Sequence, residues 1–282
     1  MINSVFRTLL ESARESLKHV RFLAIVVGLY ALLLVTFYLF IATREATVWQ
    51  VLITYGFLVL TPVEFFVLQS AIVQHAREGK FHWRQIFRGA IKLFIATIPI
   101  VVIALVFWAL LDKFQLHYPA PKAALAESLR GAPKPQPLHW PAVIFATIRF
   151  LLFAIALPLA TIHLWIKVAG GDLRTLFNGG AEATVKRIGQ WLALAFASDS
   201  VLMYALGAIL FALIPYALLF IKISPKGTKT DFAVFIARLL IAFCFSLVGW
   251  MVTVTALSRL NTQTSKADVP QRAPSTTVEA PA

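Results

Sequence analysis

The chain predicts an all-α fold: a polytopic helical membrane protein with six transmembrane helices and amphipathic helices at the membrane interface. Three observations carry that prediction. Of 282 residues, 59% are hydrophobic and 14% charged, and the mean hydropathy is +0.79, well beyond the balance of a globular domain. Windows of about 20 apolar residues, enough to cross roughly 30 Å of hydrocarbon, recur along the chain. The 26 Lys and Arg residues gather mainly between these windows.

The expected spans are about 22–42, 49–73, 93–111, 142–166, 201–221 and 232–257, all within a transmembrane domain of residues 1–260. The first window is long for a signal peptide, follows a charged segment and has no clear small-residue cleavage site, so it is expected to remain in the mature protein. Residues 261–282 lack apolar periodicity and read as a disordered cytoplasmic tail.

Each span is introduced or joined by a recognisable segment. Before the first, Phe6, Leu9, Leu10, Ala13, Leu17 and Val20 recur at helical spacing, while Arg7, Glu11, Arg14, Glu15 and Lys18 occupy the other side. That is the pattern of an interfacial helix. Lys80 to Arg88, with Trp83 among cations, is a shorter version before the third span. Before the fifth, Leu173-Arg174-Thr175-Leu176-Phe177 echoes Phe6-Arg7-Thr8-Leu9-Leu10, and the segment continues to Lys186, Arg187 and Trp191. The chain thus reads as three units, each an interfacial helix followed by a transmembrane hairpin. Two explanations fit: parallel repeats about an axis along the membrane normal, or the basic amphipathic character that inner-membrane loops share.

The 112–141 connection holds six prolines from Pro119 to Pro141 and reads as a semi-rigid external loop. Its His117-Tyr118 and His139-Trp140 pairs suit interfacial anchoring better than metal binding. With both termini inside, Lys and Arg are roughly twice as frequent in the cytoplasmic segments as outside. The absence of an N-x-Ser/Thr sequon agrees with a bacterial inner membrane, a plasma membrane. Cys244 is the one cysteine, so no intramolecular disulfide forms, and it is expected to pack as a small buried residue. The net charge of +13 flanks apolar spans, which points to anionic headgroups as partners and not to nucleic acid. Small residues such as Ala208 and Ala212, or Ala233 and Ala237, offer faces for a protein partner or a second copy.

The candidate intramembrane polar site comprises Glu64, Thr61, Pro62, Pro158 and Arg149. Glu64 lies deep in the second span, where an ionisable group is costly and often functional. Gln50, Thr54, Thr61, Glu64 and His75 share one helical face. Thr61-Pro62-Val63-Glu64 has the form of a capping box, so a kink or a break into half-helices is expected at Pro62, with Pro158 as its counterpart on the fourth span. Glu64 then either caps backbone donors or faces a cavity, as a transporter's coupling residue would. Arg149 tilts toward the outer face and is expected to snorkel outward, as is Arg238. His163 reads as interfacial, and Ser198-Asp199-Ser200 as an N-cap cluster after a re-entrant or surface helix from about Thr184 to Ala197.

No P-loop, HExxH, nucleophile elbow or dinucleotide turn is present, so no enzyme activity, metal or cofactor is expected. In layout, with basic amphipathic entry helices and proline-bearing hairpins, the chain resembles families of uncharacterised bacterial six-span inner-membrane proteins. Two functional readings remain: a non-catalytic scaffold that binds lipid or partners, and a small-solute transporter with its site at the helix breaks near Pro62 and Pro158.

Overall fold

The computed structural model describes residues 2–43, 47–79, 81–119, 139–171, 180–221 and 228–267. The Leu173–Phe177 echo, most of the proline-rich connection and the tail beyond Ala267 lie outside them. Every regular element among the described residues is helical: α1 (Ile2–Lys18), α2 (Val20–Ala42), α3 (Val48–Glu78), α4 (Trp83–Gln115), α5 (Trp140–Gly170), α6 (Gly180–Ala195), α7 (Ser198–Phe220) and α8 (Thr228–Ala267). All but α1 and α6 are long and apolar enough to cross a membrane, so the chain is a polytopic helical membrane protein of six spans.

The helices outrun the apolar windows that announce them. α3 has 31 residues and α4 has 33, close to 46–50 Å at about 1.5 Å per residue, against roughly 30 Å of hydrocarbon. Thr47 accepts a bond from the Gln50 amide at 3.4 Å to cap the start of α3. Gly79, at φ 63°, closes its end in the left-handed conformation that glycine tolerates. The stretch from Trp83 to Arg88 forms the first turns of α4 and not a separate interfacial helix. Only α1 and α6 precede their hairpins as distinct elements.

α1 packs on α7 and α8. Its protein-facing seam is Val5, Leu9, Ser12 and Ser16, all buried, and Glu15 forms an ion pair with Arg259 of α8. Of the predicted apolar stripe, Phe6, Leu10 and Leu17 turn outward together with Ile2. An outward apolar stripe on a docked helix is what a headgroup boundary would cover.

Burial is strongly one-sided. The face where α1, the α3–α4 turn and the end of α8 meet carries Arg14, Lys18, Arg21, Arg77, Arg84 and Arg88, and is called the basic face below. Toward it lie the buried stretches: Val67–Val73 of α3, Ile86–Ala96 of α4, Leu159–Val168 of α5 and Met251–Ser258 of α8. Toward the opposite face no residue of 47–63, 97–119 or 139–158 is buried. The largest buried stretches gather at that end; toward the other, α7 still packs on the start of α8, and the outer parts of α4 and α5 touch through pairs such as Trp108–Phe153 and Tyr118–Phe145.

Within the packed half, glycines set the closest approaches. A Cβ at Gly249 would lie 2.7 Å from the Phe211 nitrogen and 2.9 Å from the Leu210 carbonyl carbon, so α8 touches the backbone of α7 here. Gly28 of α2 has no atom within 4 Å of such a Cβ. Gly249→Ala should therefore lower stability to thermal or SDS unfolding in detergent by about 1–3 kcal/mol, while Gly28→Ala should be neutral or stabilise by up to about 1 kcal/mol. Equal effects of the two substitutions would contradict the α7–α8 contact.

Candidate functional site: an intramembrane polar seam

Glu64 lies about 21 Å from the Glu78 end of α3, near the middle of that helix, and is 7% exposed. Its Oε1 accepts a hydrogen bond from Thr36 Oγ1 of α2 at 3.1 Å. Its Oε2 is buried without a partner. Further along α3, Gln69 Oε1 accepts from Trp250 Nε1 of α8 at 2.8 Å. Ser70 Oγ donates to the Ile86 carbonyl of α4 at 2.8 Å, and Gln74 Nε2 donates to the Gln85 carbonyl at 2.6 Å. His75 stacks on Phe22 of α2 with centroids 3.6 Å apart. Polar side chains on different sides of α3 thus tie it to α2, α4 and α8.

The expected break at Pro62 is absent: α3 runs unbroken from Val48 to Glu78. Thr61 forms no cap, because its hydroxyl donates to the Phe57 carbonyl at 2.8 Å. The reason is the solvent. Ending a helix inside hydrocarbon strands four donors and four acceptors with no water to take them, whereas a continuous helix across Pro62 frees only the Leu58 carbonyl. Glu64 is accordingly turned across to α2 instead of back onto its own helix.

Of the predicted polar face, Gln50, Thr54 and Thr61 are half-buried, and Thr54 donates to the Gln50 carbonyl at 3.0 Å. Gln69, Ser70 and Gln74 were not singled out by the sequence, although their presence in a largely apolar run was a usable signal.

Pro158 behaves differently from Pro62. α5 passes through a π-helical turn, Phe150–Ala156, just before it. The Ala154 carbonyl, which an α-helix would pair with the amide of residue 158, accepts from Tyr204 Oη of α7 at 2.8 Å. A second π turn, Ile209–Leu213, precedes Pro215 in α7 in the same way. That proline was overlooked in the sequence.

Arg149 is not brought to Glu64. Its Nη2 lies 3.3 Å from Asp112 Oδ1, and its guanidinium carbon sits 5.1 Å from the centre of the Trp108 ring. Arg238 does more than snorkel: its Nη2 donates to the Ile221 carbonyl at 2.7 Å and its Nε to the Leu218 carbonyl, closing the end of α7. His163 is 1% exposed rather than interfacial, with Nδ1 accepting from Asn261 Nδ2 at 3.0 Å. Asn261 therefore belongs to the last helix and not to a disordered tail. Ala197 is the cap residue of α7, so Ser198-Asp199-Ser200 form its first turn. Cys244 is exposed, not buried, as are Ala212, Ala233 and Ala237, while Ala208 is half-buried.

Among the described residues, no three His, Cys, Asp or Glu side chains gather as metal ligands would. Compared with protein-family models, curated proteins and solved structures, the chain matches none.

Two outcomes follow from this geometry. Thr36→Val leaves Glu64 buried without its donor and should cost about 1–3 kcal/mol of stability, with Thr36→Ser restoring most of it in the same detergent unfolding assay. Tyr204→Phe should cost about 1 kcal/mol in the native chain and much less in a Pro158→Ala background, where residue 158 again carries an amide for Ala154.

Proposed function

We propose that the chain is a non-catalytic multi-pass protein of the bacterial plasma membrane, with both termini in the cytoplasm, acting as a scaffold that binds lipid or a partner protein. The observation that supports this reading most is the use made of the buried polar groups. Thr36 with Glu64, Gln69 with Trp250, Thr97 with Trp165, Tyr204 with the Ala154 carbonyl and His163 with Asn261 each join one helix to another. A catalytic site would instead gather ionisable groups at one depth around a reacting atom. Interhelical polar pairs of this kind act as glue in membrane bundles.

One observation favours the transporter reading: the unpartnered Oε2 of Glu64 at mid-membrane, since intramembrane carboxylates mark proton and ion paths in carriers. Proteoliposomes loaded with a pH-sensitive dye separate the two. The scaffold reading expects the same proton leak from native protein and from Glu64→Gln, a variant that keeps an acceptor for Thr36. Proton flux above protein-free vesicles that Glu64→Gln abolishes, with unchanged thermal stability, would overturn the scaffold reading.

A further inference from the structure

At the basic face, the junction of α1 and α2, the end of α3 and the start of α4 line a half-open cavity of about 560 Å³. Its chemistry is divided. Lys18 and Arg21 supply two exposed cations, and neither has an ion-pair partner among the described residues. No carboxylate lines it: Glu15 is engaged by Arg259, and Glu11 by Arg7 at 2.9 Å. The first turn of α2, Val20 to Phe22, forms part of the wall, and His19 at its start provides no side-chain cap. The open amides at the start of α2 thus lie beside the two cations, one residue after the carbonyl end of α1. The remaining wall is apolar and aromatic, with Phe22, Ile25 and Trp83 beside the His75 ring.

We infer that this cavity binds the phosphate of an anionic phospholipid. Two unpaired cations and an open helix start recognise the phosphate. Ile25, Phe22 and Trp83 offer the glycerol and upper acyl region an apolar surface that a soluble phosphate would leave unused. The position suits such a ligand: α2 enters its apolar span here, and Trp83 marks the interfacial depth that tryptophans favour. The inference deepens the lipid-binding part of the scaffold reading and rests on it. Its test, in detergent, does not depend on which leaflet the basic face meets, so failure would leave partner binding and the bundle's polar pairs untouched.

Native mass spectrometry of the full chain, titrated with phosphatidylglycerol or phosphatidylcholine, measures retention directly. Native protein should retain the anionic lipid preferentially. Lys18→Ala with Arg21→Ala should reduce that preference roughly 25-fold, at about fivefold per cation near such a surface. Arg84→Ala with Arg88→Ala removes the same charge from exposed positions on the same face outside the cavity, and should retain most of the preference. Ile25→Trp fills the apolar wall, keeps both cations and should also weaken retention. Displacement of the bound lipid by excess inorganic phosphate supports recognition through phosphate. Equal retention of the two lipids, or equal loss in the two double variants, would overturn the site. Binding of inorganic phosphate without retention of either lipid would overturn the lipid assignment.

Discussion

A polar side chain on a helix inside a bilayer has no water to fall back on, so what its own backbone cannot satisfy must be answered by another helix. α3 carries such groups on several sides, and its neighbours are arranged to answer them. Thr36 brings α2 to Glu64, Trp250 brings α8 to Gln69, and the Ile86 and Gln85 carbonyls bring α4 to Ser70 and Gln74. Between Leu-rich surfaces in lipid there is little hydrophobic gain to fix rotation and register. Directional bonds from one central helix supply both, and apolar packing such as Phe66 against Phe94 and Trp165 fills the space they define.

The one-sided core follows from where those groups sit along α3. The bonds run from Glu64 toward the basic face, and there α1 adds its seam of Val5, Leu9, Ser12 and Ser16 and its ion pair to Arg259. Toward the opposite face α3 offers Gln50, Thr54 and Thr61, of which the two threonines bond back to their own helix. Neither threonine reaches across, and no residue of 47–63, 97–119 or 139–158 is buried. What contact remains there is local: Arg149 with Asp112 and Trp108, and Arg238 with the end of α7. The cavity at Lys18 and Arg21 opens at the packed end, beside the start of α2.

The spans were legible because hydrocarbon thickness imposes a length that composition reveals directly. Their ends were less so: Lys80 to Arg88 reads as a separate interfacial helix and the second apolar window stops at Val73, yet α4 takes in Trp83 to Arg88 and α3 runs on to Glu78. The site was legible as residues and not as partners. Glu64 stands out in any reading, but Thr36 is one threonine among many in the chain, and Trp250 lies 181 positions from Gln69. The capping-box reading of Thr61 to Glu64 failed because that motif describes helices that start in water. In lipid the threonine is better satisfied by the Phe57 carbonyl four residues back. His163 and Asn261 were both set at the periphery because polar residues near a span end usually face water. Here each is the other's bonding partner, and the pairing is invisible until α5 and α8 are side by side.

The prolines show how the same local defect acquires different outcomes from its surroundings. Pro62 and Pro99 sit inside continuous α-helix, whereas Pro158 and Pro215 each follow a π turn. Each removes one donor and crowds the carbonyl four residues back, so the residue itself does not decide. At the two π turns a neighbour meets the altered backbone: Tyr204 donates to the Ala154 carbonyl, and Gly249 lets α8 approach Leu210 and Phe211 closely. Both contacts involve α7, which carries one π turn and supplies the hydroxyl that serves the other. A π turn widens the helix and exposes backbone, a conformation that persists in lipid where an adjacent helix provides a bonding group or a close apolar fit. Tyr204 also packs its ring at 5.9 Å from Phe211, so the residue that satisfies the turn in α5 also contacts the turn in α7. The two irregular segments are thereby joined through one side chain, and Gly249 brings α8 against the second of them.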